Sequence, residues 1–244
     1  MTSTTSDPDG FTLPTEASLL VFVGKQRSGK SYAIKSLMSQ YQKSQPFEFG
    51  VVFTRTKFNH AYDYVSDKRV YEDFSVEKLM KYIEGLRTIN ERKKKEKKVM
   101  GPNFIIFDDL MGVIDWYDKR LINWIGTFRH TNTTIFLAIQ YLAQGTSTVV
   151  RECTNAAFMF NTSNLDSQKH LYIFYGQQMP GTKVVDKFEI FQKTMKAITE
   201  SENEEDDHQC LLFQANKKTP EKSYCAWKAD PVADDFKMKF MSTT

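Results

Sequence analysis

The sequence predicts an α/β protein with a mainly parallel central sheet, helices on both faces and a C-terminal β-hairpin. Uninterrupted apolar segments of strand length recur along the first two thirds of the chain, and segments with helical spacing lie between them. Strands that are apolar throughout are typical of a parallel sheet that is buried on both faces. Near the end of the chain, two further strand segments flank a short polar turn, which predicts the hairpin.

The predicted elements alternate in the first part of the chain. Strands are predicted over 17–24, 49–56, 103–110, 133–140 and 155–161, and helices over 32–43, 75–98, 118–130, 166–176 and 182–200. The hairpin strands are predicted over 210–216 and 223–229. The acidic stretch 200–207 is interpreted as a surface turn.

The length of 244 residues suits one domain of above-average size. We predict a flexible N-terminal lead over residues 1–14 and a single domain over 15–244. Within this domain the core is expected at about 18–165, and the C-terminal helices and hairpin at 166–236.

The composition argues against several classes of protein. The three cysteines, Cys153, Cys210 and Cys225, lack C-x-x-C spacing, which disfavours a disulfide framework and a zinc site. The scattered cysteines favour a reduced intracellular setting. The first residues show no signal-peptide pattern, and no apolar run approaches the length of a membrane span, so neither is expected. The net charge of +3 does not by itself require a nucleic-acid partner.

The segment Gly24–Ser31 fits the phosphate-loop pattern G-x-x-x-x-G-K-[ST]. An apolar strand precedes it and a helix follows it, as a loop needs if it is to point amides at phosphates from a helix N-terminus. Lys30 is expected to contact the β- and γ-phosphates of ATP, and Ser31 to bind Mg²⁺. The candidate nucleotide-binding residues are Gly24, Lys25, Gln26, Arg27, Ser28, Gly29, Lys30, Ser31 and Tyr32.

Two strand ends carry polar residues that suit hydrolysis. Asp108 ends the buried segment 103–108 and is expected to hold Mg²⁺, while Asp109 would orient or deprotonate the attacking water. Gln140 ends the next strand and is expected to sense the γ-phosphate or to bind that water. The alternatives are a helix cap or turn acid for the aspartates, and an ordinary strand terminator for Gln140.

Three arginines are candidates for an arginine finger, a residue that reaches the nucleotide of a neighbouring subunit. Arg129 lies at the end of a predicted helix, just before the strand that ends at Gln140. It could instead cap that helix through the helix dipole. Arg55 and Arg151 are rivals for the same role.

The order of the segments GKQRSGKS, IIFDD and FRHTNTTIFLAIQ resembles the viral genome-packaging ATPases of the FtsK–HerA branch. These include the poxvirus-type packaging ATPases of large DNA viruses and virophages and, more distantly, the packaging motor of small tailed phages. The arginine–histidine pair before an apolar strand that ends in glutamine carries most of the resemblance. It covers about residues 18–165.

The resemblance implies a RecA-like ASCE P-loop NTPase in which another strand lies between the loop strand and the acidic strand. It implies a pentameric or hexameric ring that binds ATP between subunits and translocates double-stranded DNA into a preformed capsid. A capsid or portal-vertex protein would be a partner, and the infected cell at the site of virion assembly would be the location. The matched positions are Lys30, Ser31, Asp108, Asp109, Gln140 and Arg129. One departure is that Asp109 stands where many relatives carry glutamate.

The strongest basic cluster, NERKKKEKK at 90–98, is a candidate contact for DNA phosphates. Such runs are also common at the solvated ends of helices. Lys57, Lys169 and Lys183 are further candidates that the sequence does not rank.

Other functions use the same loop. A small-molecule or nucleotide kinase would need a lid and an arginine-rich acceptor pocket, and the sequence shows no obvious lid. A DNA translocase or helicase that is not devoted to packaging would share all the motifs. A nucleotide-gated protein without hydrolysis would have less use for the pair of Asp109 and Gln140.

Overall fold

Eight strands and six α-helices are found in the residues that this computed structural model describes, which are 10–142, 148–162, 164–180, 184–200 and 208–241. The strands are β1 (Leu19–Val23), β2 (Phe49–Thr54), β3 (Val70–Tyr71), β4 (Asn103–Asp108), β5 (Thr133–Ile139), β6 (Thr154–Met159), β7 (Cys210–Gln214) and β8 (Tyr224–Trp227). The helices are α1 (Lys30–Ser44), α2 (Val76–Lys95), α3 (Lys119–Ile125), α4 (Thr148–Cys153), α5 (Leu165–Leu171) and α6 (Val184–Thr199).

The strands form one sheet in the order β3-β2-β4-β5-β1-β6-β7-β8. The strands from β3 to β6 in this order pair in parallel, whereas β7 and β8 continue the sheet in antiparallel pairing. The acidic strand β4 is separated from the loop strand β1 by β5, as the resemblance implies. This architecture confirms the predicted fold class, including the C-terminal hairpin.

The sheet is covered on both faces because successive side chains of each strand point to opposite sides. Leu19, Val21 and Val23 of β1 pack into a core with α2, α3 and α6. Leu20 and Phe22 pack into a second core with α1. The same second core contains the C-terminal strand β8, and segment 230–241 packs against it through Phe236, Met238 and Phe240.

Some elements differ from the predicted ones. The helix expected over 118–130 ends at Ile125, where Gly126 follows and the hydroxyl of Thr127 donates to the carbonyl of Asn123 at 2.9 Å. A 3-10 turn, Phe128–Thr131, then leads into β5. Strand β3 is two residues long, which is too short to produce a periodic pattern in the sequence.

Residues 1–9 of the predicted lead and residues 201–207 of the predicted acidic turn lie outside the described residues. Within the rest of the lead, Phe11 is 4% exposed and contacts the rings of Phe158 and Trp227 edge to face. In the described part of the chain, none of the helices is long and apolar enough to cross a membrane.

Candidate active site at the carboxyl edge of the sheet

The candidate phosphate loop connects β1 to α1 and is fixed at its base by backbone hydrogen bonds. The amide of Gly24 donates to the carbonyl of Ile139 at 3.2 Å, and the amide of Phe160 donates to that of Val23 at 2.8 Å. Gly24 packs so closely on Phe160, the residue after β6, that a Cβ there would lie 2.6 Å from Cβ of Phe160. At the other end Gly29 has φ +92°, a conformation that favours glycine. Close contacts thus favour glycine at position 24, and the backbone conformation favours it at position 29.

Lys30 is buried inside this loop. Its ammonium group donates to the carbonyls of Gly24 at 2.7 Å and Lys25 at 2.8 Å. Burial lowers the pKa of Lys30, and the charges of Asp108 and Asp109 oppose this shift. A cation held here, beside the amides at the start of α1, is placed to contact an anion such as a phosphate group.

The other loop residues divide by exposure. Lys25, Gln26 and Arg27 are exposed, whereas Ser28 is buried and its hydroxyl has no hydrogen-bond partner among the described residues. Arg27 has a positive φ of 62°. Tyr32, on the first turn of α1, is 39% exposed beside the loop. The loop therefore places exposed residues at its tip, 25–27, and at Tyr32, on either side of the buried ammonium of Lys30.

Ser31 and Asp108 meet across the gap between α1 and β4. The Ser31 hydroxyl donates to Oδ2 of Asp108 at 3.1 Å. Asp108 is 6% exposed, and burial raises the pKa of its carboxyl, while hydrogen bonds from Tyr62 and Ser31 oppose that shift. A hydroxyl and a carboxylate at one point fit Mg²⁺, which binds few protein oxygens and keeps several waters.

In the described part of the chain there is no group of three or more His, Cys, Asp or Glu side chains that could hold a metal ion. A Mg²⁺ ion that is shared between protein and nucleotide phosphates needs only one or two carboxylates from the protein. Ser31 and Asp108 are the residues that would hold it.

Asp109 and Gln140 form a second polar pair at the same edge. Nε2 of Gln140 donates to Oδ1 of Asp109 at 2.9 Å, and both side chains are half-buried. Asp109 has φ +54°, which turns the chain away from β4 directly after Asp108. Left-handed backbone at a non-glycine residue is uncommon and tends to occur at functional sites. The pair can hold a water molecule between strand ends.

The three candidate arginines lie in different places. Arg55 is exposed directly after β2, whose last residue, Thr54, is in register with Asp108. Arg129 precedes β5 and is therefore at the opposite, amino edge of the sheet, about 20 Å along a seven-residue strand. There its guanidinium donates to Oδ1 of Asn155 at 3.5 Å. Arg151 forms an ion pair with Glu152 at 2.9 Å.

The basic end of α2 lies near this amino edge. Nδ2 of Asn90 donates to the carbonyl of His130 at 3.2 Å, and Lys93 forms an ion pair with the buried Glu48 at 2.5 Å. Within the described residues, Lys94 and Lys95 are exposed at the end of the helix. This cluster is thus at the end of the sheet opposite to the candidate nucleotide site.

The remaining basic candidates lie elsewhere. Lys57 pairs with Asp67 at 2.8 Å, and Lys169 pairs with Asp166 at 3.6 Å. Lys183 lies outside the described residues.

Two residues of the site were not predicted from the sequence. The Tyr62 hydroxyl donates to Oδ2 of Asp108 at 2.7 Å from the segment that follows β2. The His208 ring lies against Gly29, where an added Cβ would be 2.7 Å from its Cγ, and its centroid is 6.3 Å from that of Tyr32. Neither residue belongs to a motif, and both reach the site only through the fold.

The parallel sheet and the strand–loop–helix unit at its carboxyl edge define the class of RecA-like P-loop NTPases. The chain belongs to the family described as Poxvirus A32 protein, whose sequence profile matches residues 12–204. Comparison with curated protein sequences gave no match.

Solved structures show the same fold. The DNA-packaging ATPase B204 from Sulfolobus turreted icosahedral virus is 17% identical, with a TM-score of 0.57 over 90% of this chain and 100% of that chain. The genome packaging NTPase B204 from Sulfolobus turreted icosahedral virus 2, in complex with ATP-gammaS, is 16% identical, with a TM-score of 0.56 over 88% of this chain and 98% of that one. EssC (ATPases 2 and 3) from Geobacillus thermodenitrificans is 11% identical, with a TM-score of 0.56 over 92% of this chain and 42% of that one.

Proposed function

We propose that the protein is an ATP-hydrolysing motor that translocates double-stranded viral DNA into a preformed capsid. The observation that carries this is the meeting of three groups at one edge of the sheet: the Lys30 loop, the pair Ser31–Asp108 and the pair Asp109–Gln140. Membership of the Poxvirus A32 protein family and the likeness in fold to B204, a DNA-packaging ATPase, support it.

In this proposal the loop residues 24–32 bind ATP. Lys30 leaves the carbonyls of Gly24 and Lys25 and contacts the β- and γ-phosphates, because phosphate oxygens are charged acceptors and carbonyls are neutral ones. Ser31 and Asp108 would hold Mg²⁺, and the bound ion would neutralise charge on the phosphates. The structure of B204 in complex with ATP-gammaS supports nucleotide binding at this fold.

Asp109 orients the attacking water, and Gln140 holds the Asp109 carboxylate and reports the presence of the γ-phosphate. The aspartate is one methylene shorter than glutamate, so its reach depends on the backbone. The left-handed turn at Asp109 and the hydrogen bond from Gln140 set the position of the carboxylate. This supports hydrolysis over a purely nucleotide-gated role.

The active assembly is a homo-oligomeric ring, pentameric or hexameric, with nucleotide between subunits. Residues 15–244 act as one ATPase domain, since β7 and β8 extend the sheet of the core. Arg129 is remote from the phosphate loop of its own chain, so it would act as an arginine finger on the nucleotide of a neighbouring subunit. The partners are duplex DNA, bound without sequence specificity, and a capsid or portal-vertex protein at the site of virion assembly in the infected cell.

The decisive experiment is an ATPase assay, with and without duplex DNA, on protein of measured oligomeric state. Duplex DNA should stimulate hydrolysis, and Lys30→Ala should lower kcat by about a hundredfold or more, as expected for the loss of a charge at the reacting phosphate. Lys43→Ala is the matched control, since Lys43 is exposed at the far end of the same helix. A rate that is indifferent to DNA would contradict the motor, and absence of turnover would contradict the ATPase.

The finger is tested by mixing two inactive variants, Arg129→Ala and Asp109→Ala. If Arg129 acts across the subunit interface, mixed rings contain some sites with both an intact arginine and an intact aspartate, and activity partly returns. Absence of rescue in rings shown to be mixed would count against Arg129 and direct the test to Arg55, which lies at the carboxyl edge.

A further inference from the structure

The Asp108 carboxylate receives two hydrogen bonds on one of its oxygens. The Tyr62 hydroxyl donates to Oδ2 at 2.7 Å, and the Ser31 hydroxyl donates to the same atom at 3.1 Å. Among the described residues, no side chain or amide donates to Oδ1 of Asp108. This oxygen is not one of the fully buried polar atoms, so it is open to a further ligand. The side chain is thereby held with one oxygen occupied and the other available.

The ring and backbone of Tyr62 are held by contacts outside the phosphate loop, although its hydroxyl also interacts with Ser31. It is 4% exposed, and the amide of Val65 donates to its carbonyl at 2.8 Å. The C-terminal segment 230–241 closes over this turn: the amide of Met238 donates to the carbonyl of Tyr64 at 2.8 Å, and the Phe236 ring stacks on the Tyr64 ring at 5.6 Å. The hydroxyl of Tyr62 thus approaches Asp108 from a buried, hydrogen-bonded turn.

The neighbouring Tyr64 gives an internal comparison. It is as buried as Tyr62, at 3% exposure, and the two ring centroids are 5.9 Å apart. The Tyr64 hydroxyl, however, has no hydrogen-bond partner in the described residues. The two tyrosines therefore share burial and surroundings and differ in the contacts of their hydroxyls, which Tyr62 makes with Asp108 and also with Ser31.

We propose that Tyr62 is a positioning residue for the metal site: its hydroxyl fixes the Asp108 carboxylate so that Oδ1 faces the metal ion that accompanies the nucleotide. The inference rests on the proposed function to the extent that a metal–nucleotide complex binds at this edge. Partners that orient a metal ligand typically contribute 10–100-fold to metal affinity or activity.

The test compares the affinity for a fluorescent ADP analogue in Mn²⁺ with the affinity in EDTA. Wild-type protein should bind more tightly with the metal, and Tyr62→Phe should reduce that gain by about tenfold or more while the affinity in EDTA stays unchanged. Tyr64→Phe is the matched control and should leave both affinities within about twofold, since its hydroxyl has no partner to lose. General damage to the fold would weaken binding in both solutions, which distinguishes it from the proposed role.

A double-mutant cycle locates the effect. Asp108→Asn should itself reduce the metal-dependent gain, and adding Tyr62→Phe should then change the gain by less than about twofold, because two residues that act through one contact are not additive. An equal loss from Tyr62→Phe in both backgrounds, or equal effects of Tyr62→Phe and Tyr64→Phe, would overturn the proposal.

Neither binding measurement involves hydrolysis. If the wild-type protein gains affinity from Mn²⁺ but has no ATPase activity, the proposed function fails while the Tyr62 assignment is still decided by the ratio of affinities. If DNA-stimulated hydrolysis is present and Tyr62→Phe leaves the Mn²⁺-dependent gain in affinity unchanged, the role assigned to Tyr62 is wrong and the proposed motor function is unaffected.

Discussion

Replacing Gln140 with methionine would remove one hydrogen bond from the candidate site and keep the shape of the side chain. In the structure Nε2 of Gln140 donates to Oδ1 of Asp109 at 2.9 Å. Methionine has a similar length but no amide donor, so the Asp109 carboxylate would lose its fixed orientation. The phosphate loop should be unaffected, because none of its described hydrogen bonds involves Gln140.

The magnitude follows from the exposure of the pair. A hydrogen bond to a charged group contributes about 1.5–3 kcal/mol when water does not compete. Both Gln140 and Asp109 are half-buried, so the lower end of that range applies. About 1.5 kcal/mol corresponds to roughly a tenfold change in rate, if the orientation of Asp109 matters only in the transition state.

The assay is steady-state ATP hydrolysis with saturating duplex DNA. We expect kcat to fall about tenfold with KM for ATP nearly unchanged, the pattern of an interaction that acts on the chemical step. Tyr141→Phe is the control, because Tyr141 is the next residue and is 48% exposed. The reasoning is refuted if Gln140→Met leaves kcat within twofold, or if it raises KM while kcat stays constant.

Two further predictions concern stability. Gly29→Ala should lower Tm by about 2–8 °C, since a left-handed residue other than glycine costs about 1–2 kcal/mol, and the new Cβ would also displace the His208 ring. Gly85→Ala, in α2 with open space around it, should instead raise Tm by about 1–4 °C, so a similar effect at both glycines would contradict the backbone argument. Asp108→Asn should raise Tm of the nucleotide-free protein at pH 7, because burial raises the pKa of this carboxyl and its ionised form therefore destabilises the fold. That gain should shrink as the pH falls, and should be lost below the ordinary pKa of 3.8, where the carboxyl becomes protonated in both states. A lower Tm than wild type at pH 7 would contradict the prediction.

Much of the fold could be predicted because its signals are local. The apolar run before Gly24 and the helical spacing after Ser31 predict β1 and α1 directly. The family resemblance, based on the order of three short segments, is confirmed by the family match over residues 12–204. The roles of Asp109, Gln140 and Arg129 stay predictions, although the structure brings the first two together.

Other features of the fold have no local sequence pattern from which they could be predicted. Strand β3 has two residues, and the helix expected over 118–130 stops early at Gly126. The packing of segment 230–241 also depends on distant partners, since Phe240 stacks on Phe104 and Lys237 donates to the carbonyl of Asp63. Such contacts arise between parts of the chain that have no fixed spacing.

The sequence by itself determined the class of the protein, because a phosphate loop needs particular residue types at fixed spacing within one strand–loop–helix unit. It also determined which strand ends carry polar groups. Only the tertiary structure decided which side chains meet there: Tyr62 on Asp108, His208 on Gly29, and Arg129 at the far edge of the sheet. The physical reason is that strand order and the packing of loops, which no local pattern encodes, set the distances between residues far apart in the chain.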